Sequence, residues 1–369
     1  MKTRNKVFIG IGGFFALAIA GVMAVTAWDS PCPSAAPADP GGGSMRAAMH
    51  RCYGVREGLR IERTAKPAPA EGEVLVRIHA ASINPAEWYR VSGRPYIVRL
   101  GGGLGSPENP RAGFDASGVI EAVGPNVTRF KPGDEVFGGV RGSFAEYALA
   151  REQGSLTLKP ANLTFEEAAG IPIAGITALQ GLRDHGHIAA GQKVLINGAS
   201  GGVGTYAVQI AKAFGAEVTA VCSTRNVELV RSLGADHVID YTKADFTAGT
   251  ERYDLVLDNV GNHGYFELAE VTNPEGYIVS VGGSKDNRWF GPITRVFVWR
   301  NVARPFVDPQ LPFYIASANK EDMAVLADLA REGKLRTFID RRYPLEKIGE
   351  ALEYLGTQRA RGKVIVTLD

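Results

Sequence analysis

Three small residues, Ala199, Gly201 and Gly204, occupy the glycine positions of the pattern G-x-G-x-x-G, with alanine in the first place. Gly201 lets backbone approach a pyrophosphate, and Gly204 lets a helix pack closely on a strand. Free N–H groups at the start of that helix, with the positive end of its dipole, would hold phosphates. The pattern alone is weak, so its context decides. Lys193–Asn197 is a short β-branched run bounded by Gly198. Val203, Ala207, Ile210 and Ala211 then recur at helical spacing, Gly215 stops the helix, and Val218–Val221 starts a second strand. A complete βαβ unit around the turn identifies a dinucleotide site.

The end of that second strand selects the dinucleotide. An NAD site carries Asp or Glu about 20 residues past the glycines, bonded to the ribose 2′-hydroxyl. Here the chain reads Cys222-Ser223-Thr224-Arg225-Asn226, with no acid. A carboxylate would repel a 2′-phosphate, whereas Arg225 can grip one with its guanidinium and Ser223 can donate to it. The plainer alternative makes Arg225 a solvated first-turn residue of the next helix. The charge argument favours NADPH over NADH.

The elements that must position this site follow from the rest of the chain. Its 369 residues, 45% hydrophobic and 22% charged, are globular in composition and enough for two domains. A formal charge of +2 gives no argument for nucleic acid. Three cysteines (Cys32, Cys52, Cys222) cannot form a disulfide framework, and no C-x-x-C pair suggests zinc. From residue 45 to 172, short runs such as Glu73–Ile78 and Gly118–Val123 alternate with turn signals, which predicts a small antiparallel barrel. From 173 to 334, strands at Ala235–Asp240, Tyr253–Asp258, Tyr277–Val281 and Phe313–Ala316 and a helix over Glu321–Glu332 predict a parallel, doubly wound sheet. Residues 335–369 hold a helix (Leu345–Leu355) and a strand (Gly362–Leu368) that return to the first domain.

The amino terminus is a separate object. Lys2, Arg4 and Lys6 precede an uncharged run from Val7 to Trp28, long enough to span a bilayer at about 20 residues. Residues 1–28 are read as an uncleaved hydrophobic helix anchoring the protein in a membrane. The alternative is a signal peptide with Val25 and Ala27 at its cleavage site and an exported product. Residues 29–44 form a Pro/Gly/Ser tether. The positive-inside rule places the domain outside, while an NADPH enzyme needs the cytosolic pool, so the side of the membrane stays open. Trp289–Arg304, aromatic and basic, is read as a loop and helix over the cleft or at a dimer interface, with a membrane-surface contact as the sharper alternative.

From Met45 onward the chain resembles the medium-chain dehydrogenase/reductase superfamily, in its zinc-free quinone oxidoreductase branch, and there the reductases related to the mitochondrial reticulon-interacting protein. The matching segments include ASINPAEWYRVSG (Ala81–Gly93), GFDASGVIEAVG (Gly113–Gly124), FKPGDEVFG (Phe130–Gly138), IAGITALQGL (Ile173–Leu182), INGASGGVG, CSTRN, LGADHVIDY (Leu233–Tyr241) and RGKVIV (Arg361–Val366). The resemblance implies a GroES-like barrel and a Rossmann domain with the active site between them. It aligns Asn84 with a zinc-ligating cysteine of the metal-dependent relatives and Phe114-Asp115 with their His-Glu pair. Zinc needs several nitrogen or sulfur ligands in a tetrahedral array, which Asn84 and Asp115 cannot supply, so no metal is expected.

Without a Lewis acid, the substrate oxygen must be polarised by hydrogen-bond donors, which suits a quinone or an α,β-unsaturated carbonyl reduced by hydride from NADPH. By resemblance, Tyr89 and Asn84 lie near the nicotinamide, Tyr89 as donor to substrate and Asn84 as orienter, with Tyr96 a weaker alternative. Thr177 resembles the family's nicotinamide-contacting threonine. Ser200, Gly201, Gly202 and Val203 should face the pyrophosphate, Ser223 and Arg225 the 2′-phosphate, and Tyr241 the adenine. Asn259, Val281 and Lys363 match contacts to ribose, carboxamide and phosphate. Asp115 and Glu146 read as barrel framework. The rival readings are a zinc-free aldehyde reductase or alcohol dehydrogenase, and a non-catalytic, membrane-tethered NADPH-binding sensor or scaffold. The resemblance also suggests a homodimer.

Overall fold

The computed structural model describes residues 21, 25–33, 41, 43–283, 288–291 and 294–368. The first lobe carries strands β1 (Ser44–His50), β2 (Leu59–Ala65), β3 (Glu73–Ile83), β4 (Asp115–Val123), β5 (Glu135–Gly139), β6 (Tyr147–Arg151) and β7 (Thr157–Leu158). In β3 only Arg77 is fully exposed, because β4, β6 and a strand from the far end of the chain all pair with it. Short antiparallel strands with side chains packed between them make the barrel core, built on Val74, Val76, Ile78, Ile120, Val136 and Phe144.

The second lobe is a parallel sheet of β8 (Lys193–Asn197), β9 (Glu217–Cys222), β10 (His237–Asp240), β11 (Tyr253–Asp258) and β12 (Thr272–Ser280), in the order β10-β9-β8-β11-β12. The order reverses between β8 and β11, which opens a crevice beyond their carboxyl ends. Buried on both faces, these strands read as unbroken apolar runs (Val194-Leu195-Ile196, Leu255-Val256-Leu257).

The chain then returns to the first lobe through β13 (Ile339–Pro344) and β14 (Lys363–Thr367). Strand β14 runs antiparallel to β3 with Val364 opposite Ile83, which brings Lys363 beside Asn84 at the end of the ladder. The helices that matter for the site are α1 (Pro85–Ser92), α2 (Phe165–Gly170), α3 (Pro172–Gln180) and α4 (Gly202–Ala213). Ala207, Ile210 and Ala211 of α4 lie in the core of the second lobe with Val203 packed against it, the apolar face its spacing predicts.

Three expectations are corrected. Phe313–Ala316 is not a strand: Gln310 makes an isolated bridge to Tyr277, after which the Tyr314 hydroxyl donates to the Thr177 carbonyl (3.0 Å) and Ser317 bonds Gln180. Side-chain anchors to α3 hold the segment in place of a ladder. The membrane anchor is not supported: among the described residues no helix is long and apolar enough to cross a membrane. The part of that run that is described folds onto the barrel lobe, while residues 1–20 and 22–24 lie outside the described residues. The tether is corrected at its described residues only: Cys32 is bonded to Cys52 with 5.2 Å between their Cα atoms, while residues 34–40 and 42 lie outside the described residues. Cys222 alone is a free, buried thiol.

Residues 25–33 thus form a strap. Asp29 bridges to Gly105, and the Ser30 N–H donates to the Gly105 carbonyl (2.8 Å). Beneath them lies Arg99, only 2% exposed. Its guanidinium donates to the carbonyls of Thr26 (3.1 Å), Trp28 (3.1 Å) and Gly93 (2.8 Å) and pairs with Asp29 at 2.8 Å. The rings of Tyr53 and Tyr96 cover it, with centroids at 4.1 and 4.8 Å. A buried guanidinium needs this many partners to offset its desolvation.

The cross-link closes a loop across a sequence separation of 20 residues. Replacing both cysteines by alanine should lower stability by about 3 kcal/mol, read as an earlier denaturant midpoint. A dithiol reductant should shift the wild-type midpoint by the same amount and leave the double variant unmoved; an unmoved wild type would show that the bridge contributes nothing.

Candidate active site

The site is built from the carboxyl ends of β8, β9, β10 and β11. Gly198 follows β8 with φ 75°, a conformation that glycine adopts without strain, and turns the chain into α4. A Cβ on Gly204 would lie 2.1 Å from the Gly198 carbonyl oxygen, so the first turn of α4 is pressed against the strand end and tolerates no side chain there. Gly202 is bounded differently: a Cβ would come to 3.5 Å from the Gly362 carbonyl oxygen and 3.7 Å from Cδ of Lys363. The Ser200 carbonyl accepts from the Gly362 N–H (2.9 Å), tying the turn to the other lobe. Val203 is half-buried against the core of the second lobe.

At the end of β9, Asn226 donates to both Ser200 Oγ (2.9 Å) and Ser223 Oγ (3.2 Å), which joins two turns distant in sequence. Both serines accept in these bonds and keep their O–H donors for another group. Arg225 is exposed and gives one N–H to the Arg359 carbonyl (2.9 Å), with further donors of its fork unused in that bond. Tyr241, at the end of β10, is 53% exposed, with its N–H on the Cys222 carbonyl. At the crevice floor Asn197 donates to Asp258 (2.9 Å), and Asn259 gives its side-chain N–H to the Asn197 carbonyl (2.9 Å). The Asn259 Oδ1 and Ser280 Oγ atoms are buried there without a partner. The Val281 N–H is engaged by the Asp258 carbonyl (2.9 Å).

These residues fit a nicotinamide dinucleotide. A glycine-rich turn at a helix start, two unused hydroxyl donors, an exposed arginine and tyrosine, and orphaned polar atoms at the reversal of strand order are what such a ligand requires.

On the barrel side, Asn84 ends β3 and Tyr89 lies one turn into α1. Asn84 is 3% exposed. Its amide donates to Asp115 Oδ2 (2.9 Å) and its Oδ1 accepts from the Lys363 ammonium (2.6 Å). Asp115, fully buried, also accepts from Ser82 Oγ (2.9 Å) and the Ile173 N–H (3.1 Å), with Lys363 Nζ at 3.9 Å. Burial pushes the Asp115 carboxyl up, against the pull of Lys363 and its donors. Burial likewise lowers the Lys363 ammonium, against the pull of Asp115 and Glu87. The partners of Asp115 all offer donors, which opposes the effect of burial.

Glu87, the third member, accepts from the Asn84 N–H (2.8 Å). Burial, and then the Asp115 charge, push its carboxyl up to about 7. Lys363, Asp115 and Glu87 thus form one buried ionisable set. Sequence reasoning passed over Glu87, although Asn84-Pro85-Ala86-Glu87 has the spacing of a helix cap closed by its third residue. It also missed Asn226 as the link between the two turns.

Tyr89 is half-buried, edge-to-face with Trp88 (5.6 Å), and burial raises its phenol. The Thr177 hydroxyl donates to the Ile173 carbonyl (2.6 Å), one turn from the N–H that holds Asp115. Tyr96 packs on Trp289 (5.0 Å), and its N–H bonds the Arg288 carbonyl (2.8 Å). Glu146 is committed to Arg46 (2.7 Å).

The places that the resemblance gives to zinc ligands hold an amide, a phenyl ring and a carboxylate already bonded to its donors. The Lys363 ammonium lies 2.6 Å from the amide oxygen. A dication does not fit beside it. Among the described residues no group of three or more His, Cys, Asp or Glu side chains could hold a metal ion.

Residues 70–161 match the alcohol dehydrogenase GroES-like domain, and residues 233–366 match a model described as zinc-binding dehydrogenase. The chain is 36% identical over 325 residues to the trans-enoyl reductase pgmF of Aspergillus terreus, covering 80% of this chain and 86% of that protein. It is 32% identical to the chloroplastic NADPH-dependent alkenal/one oxidoreductase of Arabidopsis thaliana, over 87% of this chain and 79% of the relative. The solved quinone oxidoreductase of Coxiella burnetii superposes with a TM-score of 0.76 at 29% identity, over 88% of this chain and 100% of that one.

Glu87 gives the site a pH signature. A carboxyl raised from 4.5 to about 7 on folding favours the folded state while it is protonated and opposes it once ionised. Wild-type stability should therefore fall as pH rises through 4.5 to 7, relative to Glu87→Gln, which keeps an acceptor for the Asn84 N–H but cannot ionise. Denaturation midpoints across that range check this; parallel profiles would mean that Glu87 ionises as freely in the fold as outside it.

Proposed function

The chain belongs to the zinc-free quinone oxidoreductase branch of the medium-chain dehydrogenase/reductase superfamily, an NAD(P)H-dependent group, and on that footing we propose that it uses NADPH to reduce the activated double bond of an α,β-unsaturated carbonyl or a quinone. One observation carries this reading: the turn after β9 bears Ser223 and Arg225 and no acid of its own, the Asp240 carboxylate beside it accepting from the Thr224 hydroxyl (2.6 Å), and the barrel-side floor holds Lys363 in place of a metal ligand. The relatives named for enoyl, alkenal/one and quinone substrates support the same class.

The bound nicotinamide supplies hydride. The protein's own residues do the rest. The N–H groups of Gly202 and Val203 hold the pyrophosphate at the helix start. Gly201, whose own N–H is given to the Gly198 carbonyl (3.0 Å), lets it approach the backbone, and Ser200 adds its hydroxyl. Ser223 and Arg225 take the 2′-phosphate, and Tyr241 offers its exposed ring to the adenine. Asn259 offers its orphaned oxygen to a ribose hydroxyl, and Val281 and Thr177 border the carboxamide end. Tyr89 donates a hydrogen bond or proton to the substrate as negative charge moves onto its oxygen. A conjugated acceptor spreads that charge, so donors suffice where an alcohol would need its hydroxyl deprotonated.

Arg225→Ala should raise the KM for NADPH about tenfold or more and leave that for NADH nearly unchanged, because a guanidinium–phosphate contact is lost only with the phosphorylated cofactor. Equal effects on both would remove the basis for the cofactor choice. Tyr89→Phe should lower kcat by about 100-fold with little change in cofactor affinity if the phenol is the donor. The reaction class is read from NADPH oxidation against quinones, enones and simple aldehydes, with and without a chelator. Turnover of aldehydes alone, loss of turnover on chelation, or NADPH that binds and is never oxidised would each overturn the proposal.

A further inference from the structure

Lys363 touches two parts of the site at once. Its stem passes the pyrophosphate turn, where a Cβ on Gly202 would meet its Cδ at 3.7 Å. Its ammonium continues past the turn and ends on Asn84 Oδ1 at 2.6 Å, with the residue 2% exposed. The contact joins residues 279 apart in sequence and follows from the β14–β3 register.

An amide side chain has two distinguishable ends, and its neighbours decide which way it points. Lys363 offers only donors, so it must face the Asn84 oxygen. Asp115 offers only acceptors, so it must face the Asn84 nitrogen (2.9 Å). A reversed amide would set donor against ammonium and oxygen against carboxylate, both buried. The two charges therefore act as a lock with one solution. The locked amide keeps one N–H beyond its bond to Asp115.

Resting on the function proposed above, we propose that Lys363 is a positioning residue for hydride transfer, which fixes the Asn84 amide in one orientation, rather than a ligand of the cofactor phosphates. It gives the pocket floor a fixed positive charge where metal-dependent relatives keep theirs, and Asn84 and Asp115 are the groups it orders. Its contribution belongs to turnover and not to nucleotide affinity.

Lys363→Met retains the stem and removes the charge. Two quantities are measured on the full chain: the Kd for NADPH from its fluorescence, and kcat with an enone or quinone that the wild type reduces. The expected result is a kcat lower by about tenfold or more with Kd changed less than about threefold. Lys363→Arg should restore most of the loss. In an Asn84→Ala background the same substitution should cost less than about twofold, because both residues act through one interaction. Lys363→Met strands the Asp115 carboxylate without a counter-charge, so Lys363→Met/Asp115→Asn, which removes both charges, is measured beside it and should keep a wild-type melting transition while showing the same loss of kcat.

A Kd raised about tenfold or more with kcat intact would make Lys363 a phosphate ligand and overturn the inference. So would independent, multiplying losses from Lys363→Met and Asn84→Ala, or full kcat in the charge-free double variant. A wild-type chain that binds no NADPH overturns the proposed function and this inference with it. One that binds and turns over normally confines any failure to the inference.

Discussion

The site depends on one close approach, the packing of the first turn of α4 against the end of β8. With no room for a Cβ at Gly204, which would sit 2.1 Å from the Gly198 oxygen, helix and strand meet with backbone touching backbone. The helix start, with its unpaired N–H groups, is thereby aimed into the crevice where β8 and β11 part. The Gly362–Ser200 bond and the paired bonds of Asn226 then fasten to this turn both the returning chain and the end of β9. Phosphate recognition and pocket floor are therefore built on one anchored element.

Beneath the turn lies a problem of charge. A lysine and two carboxyl groups share the dry space between β3, β4, α1 and β14, and each would be costly alone. Ser82, Asn84, Ile173 and Lys363 all present positive ends to Asp115, which offsets part of what its burial costs. Glu87 sits beside it, and burial with the Asp115 charge pushes its carboxyl up to about 7. A divalent metal would draw a substrate oxygen into its coordination shell and lower the pKa of a bound hydroxyl. An ammonium has no coordination site to offer. What it leaves is an ordered set of dipoles, which suits charge spreading through a conjugated acceptor.

The nucleotide turn and its βαβ frame were legible in the sequence because their information is local: glycine spacing, a β-branched run, a helical apolar face. The barrel strands were legible for the same reason. The segment Phe313–Ala316 looked like a strand by composition, yet Phe313 and Ile315 are exposed and Tyr314 bonds α3, so apolar content alone misled. Glu87 was within reach through its spacing from Asn84. Lys363 could be placed near the cofactor by its motif, but no local rule pairs it with Asn84, because strand register between distant segments makes that contact. The Cys32–Cys52 bridge was hidden likewise: an odd cysteine count and a Pro/Gly-rich neighbourhood argue against pairing, and only the folded barrel brings the two together.

The strap shows what an apolar stretch does and does not say. Hydrophobic composition states that residues leave water; it does not state whether lipid or protein receives them. At residues 25–33 the receiver is the barrel lobe, and apolar contact is the smaller part of the bargain, since Val25 and Trp28 stay more than half exposed at 52% and 60%. What the strap contributes is polar: two carbonyls and a carboxylate delivered to Arg99, which also meets the Gly93 carbonyl and two aromatic faces. The cost of an unpaired buried charge exceeds the gain from covering a few apolar atoms. The polar contacts of a single arginine, with the disulfide, therefore join this end of the chain to the fold.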